Sequence, residues 1–194
     1  MRDNQWLELI QTRLHEPNEA AKALKKRKRR KLLTDSKLFI VAADHTARGM
    51  LAVGDDPFAM ANRRKLLDAL LIALANPRVD GVLASADVVD ELALLGALDN
   101  KLVFGTMNRG GIIGASWELD DRMTAYTPKD IYDRGLDGGK VLLRLADDDA
   151  GTAPTIEACA KVVTQMADLQ LPIMVEPLPY TNSGAGPAKY VDDD

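Results

Sequence analysis

The stretch Leu38-Phe-Ile-Val-Ala-Ala-Asp-His-Thr-Ala-Arg48 decides how the rest of the chain is interpreted. Its apolar run contains two β-branched residues and predicts a strand buried on both faces, as in a parallel sheet. Asp44 and His45 follow at the carboxyl end of that strand, which is where α/β proteins bind their ligands. The stretch therefore predicts a sheet and a first candidate site. A cap on the turn into the next helix is the alternative role of Asp44.

The length and composition indicate one domain with a sizeable core. The chain has 194 residues, a formal charge of −4 and a pI near 5.3, which argues against a general nucleic-acid or membrane binder. The single cysteine, Cys159, excludes an intramolecular disulfide and is predicted to pack as a small hydrophobe in a helix. There is no signal-peptide pattern and no apolar run of the ~18 residues that span a bilayer. We therefore expect a cytoplasmic protein.

The first part of the chain, residues 1–36, is predicted to be a helical extension that precedes a domain of residues 37–194. Residues 3–24 have the pattern of one or two amphipathic helices, interrupted near Pro17. The run from Lys25 to Lys31 is basic throughout, which is compatible with a polyanion-binding patch or with a solvated helix face. Because no aromatic residue interrupts the run and the chain as a whole is acidic, the solvated face is favoured.

Strand and helix patterns then alternate along the chain. Further strands are predicted at 81–85, from Lys101 towards Asn108, at 140–145 and at 171–176, with helices at 57–75, 88–98, 127–135 and 155–169. The first of these helices is predicted to be capped by Asp55 or Asp56, with Pro57 at its first position. The predicted strands end in polar residues, namely Asp44, Ser85, Asn108, Asp147 and Glu176. A (β/α) barrel and a five-stranded doubly wound sheet both account for this alternation.

Several polar residues near the strand ends are candidate ligand contacts. Arg48 and Arg109 carry guanidinium groups that bind phosphate or carboxylate in a bidentate way. Arg109-Gly110-Gly111 also offers backbone amides beside a cation, and it opens a long loop, which is often a functional feature. His45 is a candidate general base or phosphate contact, with a hydrogen-bonded loop residue as the alternative.

Other patterns point away from metals and nucleotides. Asp147-Asp148-Asp149 is compatible with Mg²⁺ binding, but a solvated acidic loop is favoured. The chain lacks the pattern Gly-x-Gly-x-x-Gly and the P-loop pattern, which argues against a dinucleotide or nucleoside triphosphate site.

Three segments together resemble a known family. Ile40–Gly49, Gly138–Leu145 and Pro172–Tyr180 resemble strands one, four and five of class I aldolases, which fold as (β/α)8 TIM barrels. The most similar groups are tagatose-1,6-bisphosphate aldolase and deoxyribose-phosphate aldolase. The resemblance covers roughly residues 36–180 and implies an aldolase of carbohydrate metabolism.

The resemblance implies a carbon–carbon lyase that acts on a sugar or sugar phosphate through a lysine Schiff base. It matches Asp44 to the strand-one carboxylate, Lys140 to the strand-four lysine and Glu176 to the strand-five glutamate that transfers protons. We expect substrate contacts from four further residues, His45, Arg48, Asn108 and Arg109. No metal or cofactor, no nucleic acid and no membrane is expected as a partner, and a homo-oligomer is left open.

The sequence departs from the family at the Schiff-base lysine, which in these aldolases lies on strand six. Beyond Glu176 the remaining lysine is Lys189, in a segment without a strand pattern. The prediction is therefore an incomplete (β/α)8 barrel, strands one to five, that is inactive by itself. Lys140 is predicted at the beginning of strand four, well below the rim, in an assisting role. The alternative is a non-catalytic α/β module that binds a phosphorylated ligand or a partner protein.

Overall fold

The computed structural model describes residues 1–32, 37–109, 122–147, 149–181 and 189–190. Its helices are α1 (Asp3–His15), α2 (Glu19–Lys26), α3 (Arg63–Ala75), α4 (Ala86–Leu94), α5 (Pro128–Asp133) and α6 (Thr152–Asp168). Its strands are β1 (Ile40–Ala43), β2 (Gly81–Ala84), β3 (Leu102–Thr106), β4 (Gly138–Leu145), β5 (Ile173–Thr181) and β6 (Lys189–Tyr190). Gly110 and Gly111 of the predicted anion cradle and Asp148 of the acidic triplet lie outside these ranges.

The strands lie in the sheet in the order in which they occur along the chain. β1 to β5 are parallel, and β6 pairs antiparallel with the end of β5. A doubly wound sheet would contain a point at which the strand order reverses, and this order contains none. The five parallel strands instead form a curled half-barrel.

Helices pack against one face of this sheet. Alternate strand residues such as Val82, Val103 and Val141 belong to a main core to which all six described helices contribute. The opposite, concave face holds a smaller cluster of Leu83, Leu102 and Phe104, and the partners of this cluster come from segments outside the described helices. The concave face is therefore the one on which the carboxyl ends of the strands can form a site.

The first strand differs from its prediction. β1 was expected to be buried on both faces, but Phe39 just before it is 59% exposed, and Ala42 within it is also exposed. In the described part of the chain β1 pairs with β2 alone, so it is an edge strand with one open side. The prediction of a doubly buried strand is wrong for this reason.

The residues that cap α3 and α5 can be compared with the predicted caps. α3 begins at Arg63 because the Asn62 side chain accepts a hydrogen bond of 3.0 Å from the backbone N–H of Lys65. The predicted cap residue Asp56 lies instead in a turn, where its carboxylate accepts the N–H of Phe58. The predicted start of α5 is confirmed, since Thr127 caps this helix immediately before Pro128.

The basic run is a solvated helix face only in part, because its lysines are exposed but Arg27 is not. α2 ends at Lys26, and Arg27 is buried, with its guanidinium 2.7 Å from a carboxylate oxygen of Asp137. Arg29 binds the other oxygen of Asp137 at 2.9 Å, and Arg30 binds Asp80 at 2.6 Å. Because both aspartates lie just before strands, these arginines attach the helical segment to the amino-terminal end of the half-barrel.

The remaining local predictions agree with the structure in part. Cys159 is buried in α6, as predicted for a small hydrophobe. β5 is longer than predicted, so Glu176 lies in the middle of this strand rather than at its end. None of the described helices combines the length and the hydrophobicity that crossing a bilayer requires.

Candidate functional site

The strand register brings Lys140 to the same level as the polar residues that follow β1. Thr106, at the end of β3, pairs with Lys140. The preceding residue, Gly105, pairs with Ala84, which pairs with Ala43. Asp44, which follows Ala43, is therefore level with Thr106 and Lys140. β4 begins opposite Phe104, in the middle of β3, so its third residue already lies at the rim. The prediction that Lys140 lies well below the rim is therefore wrong, because it placed the rim at the end of β4, whereas β3 already ends level with Lys140.

Lys140 lies between two carboxylates from different strands. Its Nζ is 2.5 Å from Oε2 of Glu176 on β5 and 3.2 Å from Oδ2 of Asp44 after β1. The side chains of Lys140 and Asp44 are 7% and 3% exposed, whereas that of Glu176 is 51% exposed. One carboxylate of the group is thus enclosed by protein, and the other faces the open concave side.

Two further side chains hold the enclosed carboxylate. Arg48, at the end of a short 3-10 helix of residues 45–48, donates from Nη2 to Oδ2 of Asp44 at 3.2 Å. The same guanidinium nitrogen donates to Oγ1 of Thr106 at 3.2 Å, and that hydroxyl lies 3.4 Å from Oδ2 of Asp44. In the described part of the chain, the site therefore contains the cations Lys140 and Arg48 and the carboxylates Asp44 and Glu176.

The electrostatic surroundings keep Asp44 ionised. Burial by itself raises the pKa of Asp44, because a charge is less stable away from water. The positive charges of Lys140 and Arg48, and the hydrogen bonds that both donate, outweigh burial and lower the pKa below its usual value. Asp44 is thus a carboxylate at neutral pH.

The other predicted site residues have different surroundings. Asn108 is fully buried, and its side-chain amide exchanges two hydrogen bonds with the backbone of Leu142, of 2.7 Å and 3.0 Å. This geometry links the chain after β3 to β4. His45 is half-exposed, with Nδ1 3.9 Å from Oδ1 of Asp44. Arg109 is exposed, and its backbone N–H donates to Thr124. A substrate contact by any of these three residues stays a prediction.

Sequence analysis missed Thr106. The signal that identifies it is alternation, because Leu102 and Phe104 face the concave side and Thr106 is the next residue in that series. Ser85, another predicted strand end, is buried and donates to Asp87 at 2.5 Å. Asp147 is exposed.

The site does not have the composition of a metal centre. The described residues contain no group of three His, Cys, Asp or Glu side chains able to hold a metal ion. A cavity of about 290 Å³ lies beside the 3-10 helix, between it and α3, and is lined by Thr46, Leu51, Met60, Arg63, Leu66 and Asp87. Asp44, Lys140 and Glu176 are not among its lining residues.

Comparison with known proteins identified a family and a similar solved structure. Residues 36–192 match the family model described as Cgl0159-like. The crystal structure of Cgl0159 from Corynebacterium glutamicum (Brevibacterium flavum) is similar, with 50% sequence identity and a TM-score of 0.94. That match covers 98% of this chain and 65% of the Cgl0159 chain, so the chain spans about two-thirds of its length. A search of curated proteins found no match.

Proposed function

The chain belongs to the Cgl0159-like family, and for this member we propose a role in carbon–carbon bond cleavage of the class I aldolase type. The substrate class is a sugar or sugar phosphate, and the half-barrel corresponds to the first five strands of a (β/α)8 barrel. The observation that carries the proposal is the position of Lys140 between Asp44 and Glu176, at 3.2 Å and 2.5 Å. In such a group, the accessible carboxylate can exchange a proton with a substrate, while the cation and the enclosed carboxylate hold it in position.

The reaction needs a base beside the substrate hydroxyl. In a retro-aldol cleavage, that base takes the hydroxyl proton, the oxygen electrons form a new carbonyl and the C–C bond breaks. Its electrons move into the iminium of the Schiff base, which becomes an enamine. Glu176 is the group suited to be that base, because its carboxylate is half-exposed on the concave side. Lys140 would balance the negative charge of Glu176 before the transfer, and Glu176 would be neutral after it.

Lys140 itself is not the proposed nucleophile. Its ammonium group is bound by two carboxylates, and an ammonium has no free electron pair with which to attack a carbonyl. The proposal therefore assigns the Schiff base to a lysine on a sixth strand, outside this chain, as the aldolase resemblance implies. This chain would supply the groups that transfer protons.

Chemical modification of the intact chain tests substrate binding. Carboxylates are coupled to an amine with a limiting carbodiimide, with and without candidate sugars and sugar phosphates, and the modified positions are located by mass spectrometry. We expect a sugar or sugar phosphate to protect the half-exposed Glu176 at least several-fold. Glu157, an exposed glutamate of α6 paired with Lys161 at 2.5 Å, is the internal control and should stay unprotected.

Borohydride reduction in the same mixtures tests the assignment of roles. We expect no stable adduct on this chain and no cleavage of the substrate. An adduct at Lys140, or turnover by this chain alone, would contradict the assignment of the Schiff base to another lysine. Equal modification of Glu176 with and without every sugar and sugar phosphate would contradict the proposed substrate class. Protection of Glu176 that persists unchanged in Asp44→Asn would favour the non-catalytic binding module.

A further inference from the structure

We propose that Arg48 is a positioning residue that makes Asp44 a permanent anionic anchor for Lys140, so that Glu176 is the carboxylate of the pair that exchanges protons. The second part of this inference rests on the function proposed above. The first part concerns the arrangement of charges in this chain and is testable without a substrate.

The geometry around one oxygen atom carries the inference. Oδ2 of Asp44 lies 3.2 Å from Nζ of Lys140, 3.2 Å from Nη2 of Arg48 and 3.4 Å from Oγ1 of Thr106. These three groups come from β4, the 3-10 helix and β3, so three separate elements converge on it. A carboxylate held by two cations and a hydroxyl is much more stable ionised than protonated.

Arg48 is placed for this role by the chain immediately after β1. Asp44 immediately precedes the 3-10 helix, and Arg48 is its last residue. This single turn brings the Arg48 guanidinium beside the Asp44 carboxylate, in an i, i+4 pair. Its side chain is 5% exposed, so its charge is poorly screened by water and acts strongly on its neighbours. Arg48 also binds Thr106 at 3.2 Å, which ties the rim of β1 to the rim of β3.

The balance of charges explains why a second cation is needed. Among the described residues, the charged and titratable groups facing Asp44 are Lys140 from β4 and His45 and Arg48 from the 3-10 helix, with Glu176 of β5 on the far side of Lys140. Without Arg48, one ammonium would balance two carboxylates, and such a pair shares protons. With Arg48, Asp44 has a cation of its own at 3.2 Å, and Glu176 has Lys140 at 2.5 Å.

Carboxyl titration by ¹³C NMR on the intact chain tests the inference. The Asp44 and Glu176 signals are assigned from Asp44→Asn and Glu176→Gln. In the wild-type chain we expect the midpoint of Asp44 to lie below the ordinary value of 3.8. In Arg48→Met, which keeps an unbranched apolar stem and removes the charge, we expect the midpoint of Asp44 to rise by about one pH unit, a tenfold change in proton affinity.

Conservative and matched variants separate the charge effect from a general disturbance. Arg48→Lys should recover a large part of the wild-type midpoint, because it restores a cation. The matched control is Arg64→Met, because Arg64 of α3 pairs with the exposed Asp3 at 2.5 Å, away from the site. This variant should leave the titration midpoint of Asp44 unchanged. Far-UV circular dichroism establishes that each variant is folded.

Two results would overturn the inference. One is an Asp44 midpoint that is the same in folded Arg48→Met and in the wild-type chain. The other needs no variant and therefore decides the matter even if Arg48→Met does not fold. It is an Asp44 midpoint in the wild-type chain that lies at or above the ordinary value of 3.8. Neither measurement involves a sugar, so failure here is distinguishable from failure of the proposed function.

Discussion

Thr106, the last residue of β3, lies in register with Lys140, the third residue of β4. This offset places the lysine at the rim although it lies early in its strand. Offsets of this kind between neighbouring strands accompany the curvature of barrel-like sheets. The site at the rim thus depends on how β3 and β4 are aligned, and the experiments below test the contacts that hold this alignment and the site.

Asp44 should contribute to stability in a pH-dependent way. Its pKa is lower in the folded chain than the ordinary value of 3.8, because the charges and hydrogen bonds of Lys140 and Arg48 outweigh the effect of burial. Near and below pH 4 the unfolded chain binds the proton first, so the stabilising contribution of Asp44 is complete above that pH. It is lost as the pH falls through the folded pKa.

Asp44→Asn should therefore lower the free energy of unfolding by about 3 kcal/mol at pH 7, because it leaves two buried cations beside one exposed carboxylate. Urea denaturation at pH 7, 5, 4 and 3 measures the difference, which should shrink at the lowest pH. Asp133→Asn, on an exposed residue paired with Lys129, is the matched control and should change nothing measurable. A difference that stays constant from pH 7 to pH 3 would contradict the ionised anchor.

Arg27→Met should lower the free energy of unfolding far more than Lys26→Met. Arg27 is buried against Asp137 at 2.7 Å and also donates to the backbone carbonyls of Lys101 and Gly135. Removing it leaves a buried carboxylate with one fewer cation, at a cost of about 3 kcal/mol. Lys26 is exposed at the end of α2, so Lys26→Met should leave the denaturation midpoint unchanged. Equal effects of the two variants would show that the arginine contact adds no stability.

Gly81→Ala should disrupt the pairing of β2 with β3, whereas Gly139→Ala should be tolerated better. A Cβ at residue 81 would overlap the backbone carbonyl oxygen of Leu102, which is held within the sheet. At residue 139 the nearest atoms belong to the flexible side chain of Met107, which can move. Overpacking of this kind costs roughly 3 kcal/mol at the first position and about 1 kcal/mol at the second. Thermal denaturation compares the two variants. A Gly139→Ala variant less stable than Gly81→Ala would contradict the close approach of residue 81 to the backbone of Leu102.

Local patterns determined much of the fold. The alternation of strands and helices follows from hydrophobic periodicity and from residues such as Thr127 and Pro128, which act within one helical turn. Predictions that depended on distant partners were less accurate. The cap at Asp56 was wrong because Asn62 competes for the start of α3. The exposure of β1 followed from its place at the edge of the sheet, which the periodicity of its own residues does not encode.

By itself, the sequence determined that the chain alternates strands and helices and that Asp44 and Glu176 are among the polar residues next to or within the strands, because these features depend on neighbouring residues. The tertiary structure decided that all the described helices lie on one face, that Lys140 reaches the rim and that Thr106 and Arg48 surround Asp44. The physical reason is separation along the chain. The register that joins residues 44, 106 and 140 results from the packing of whole elements, and this packing is not encoded in any short stretch.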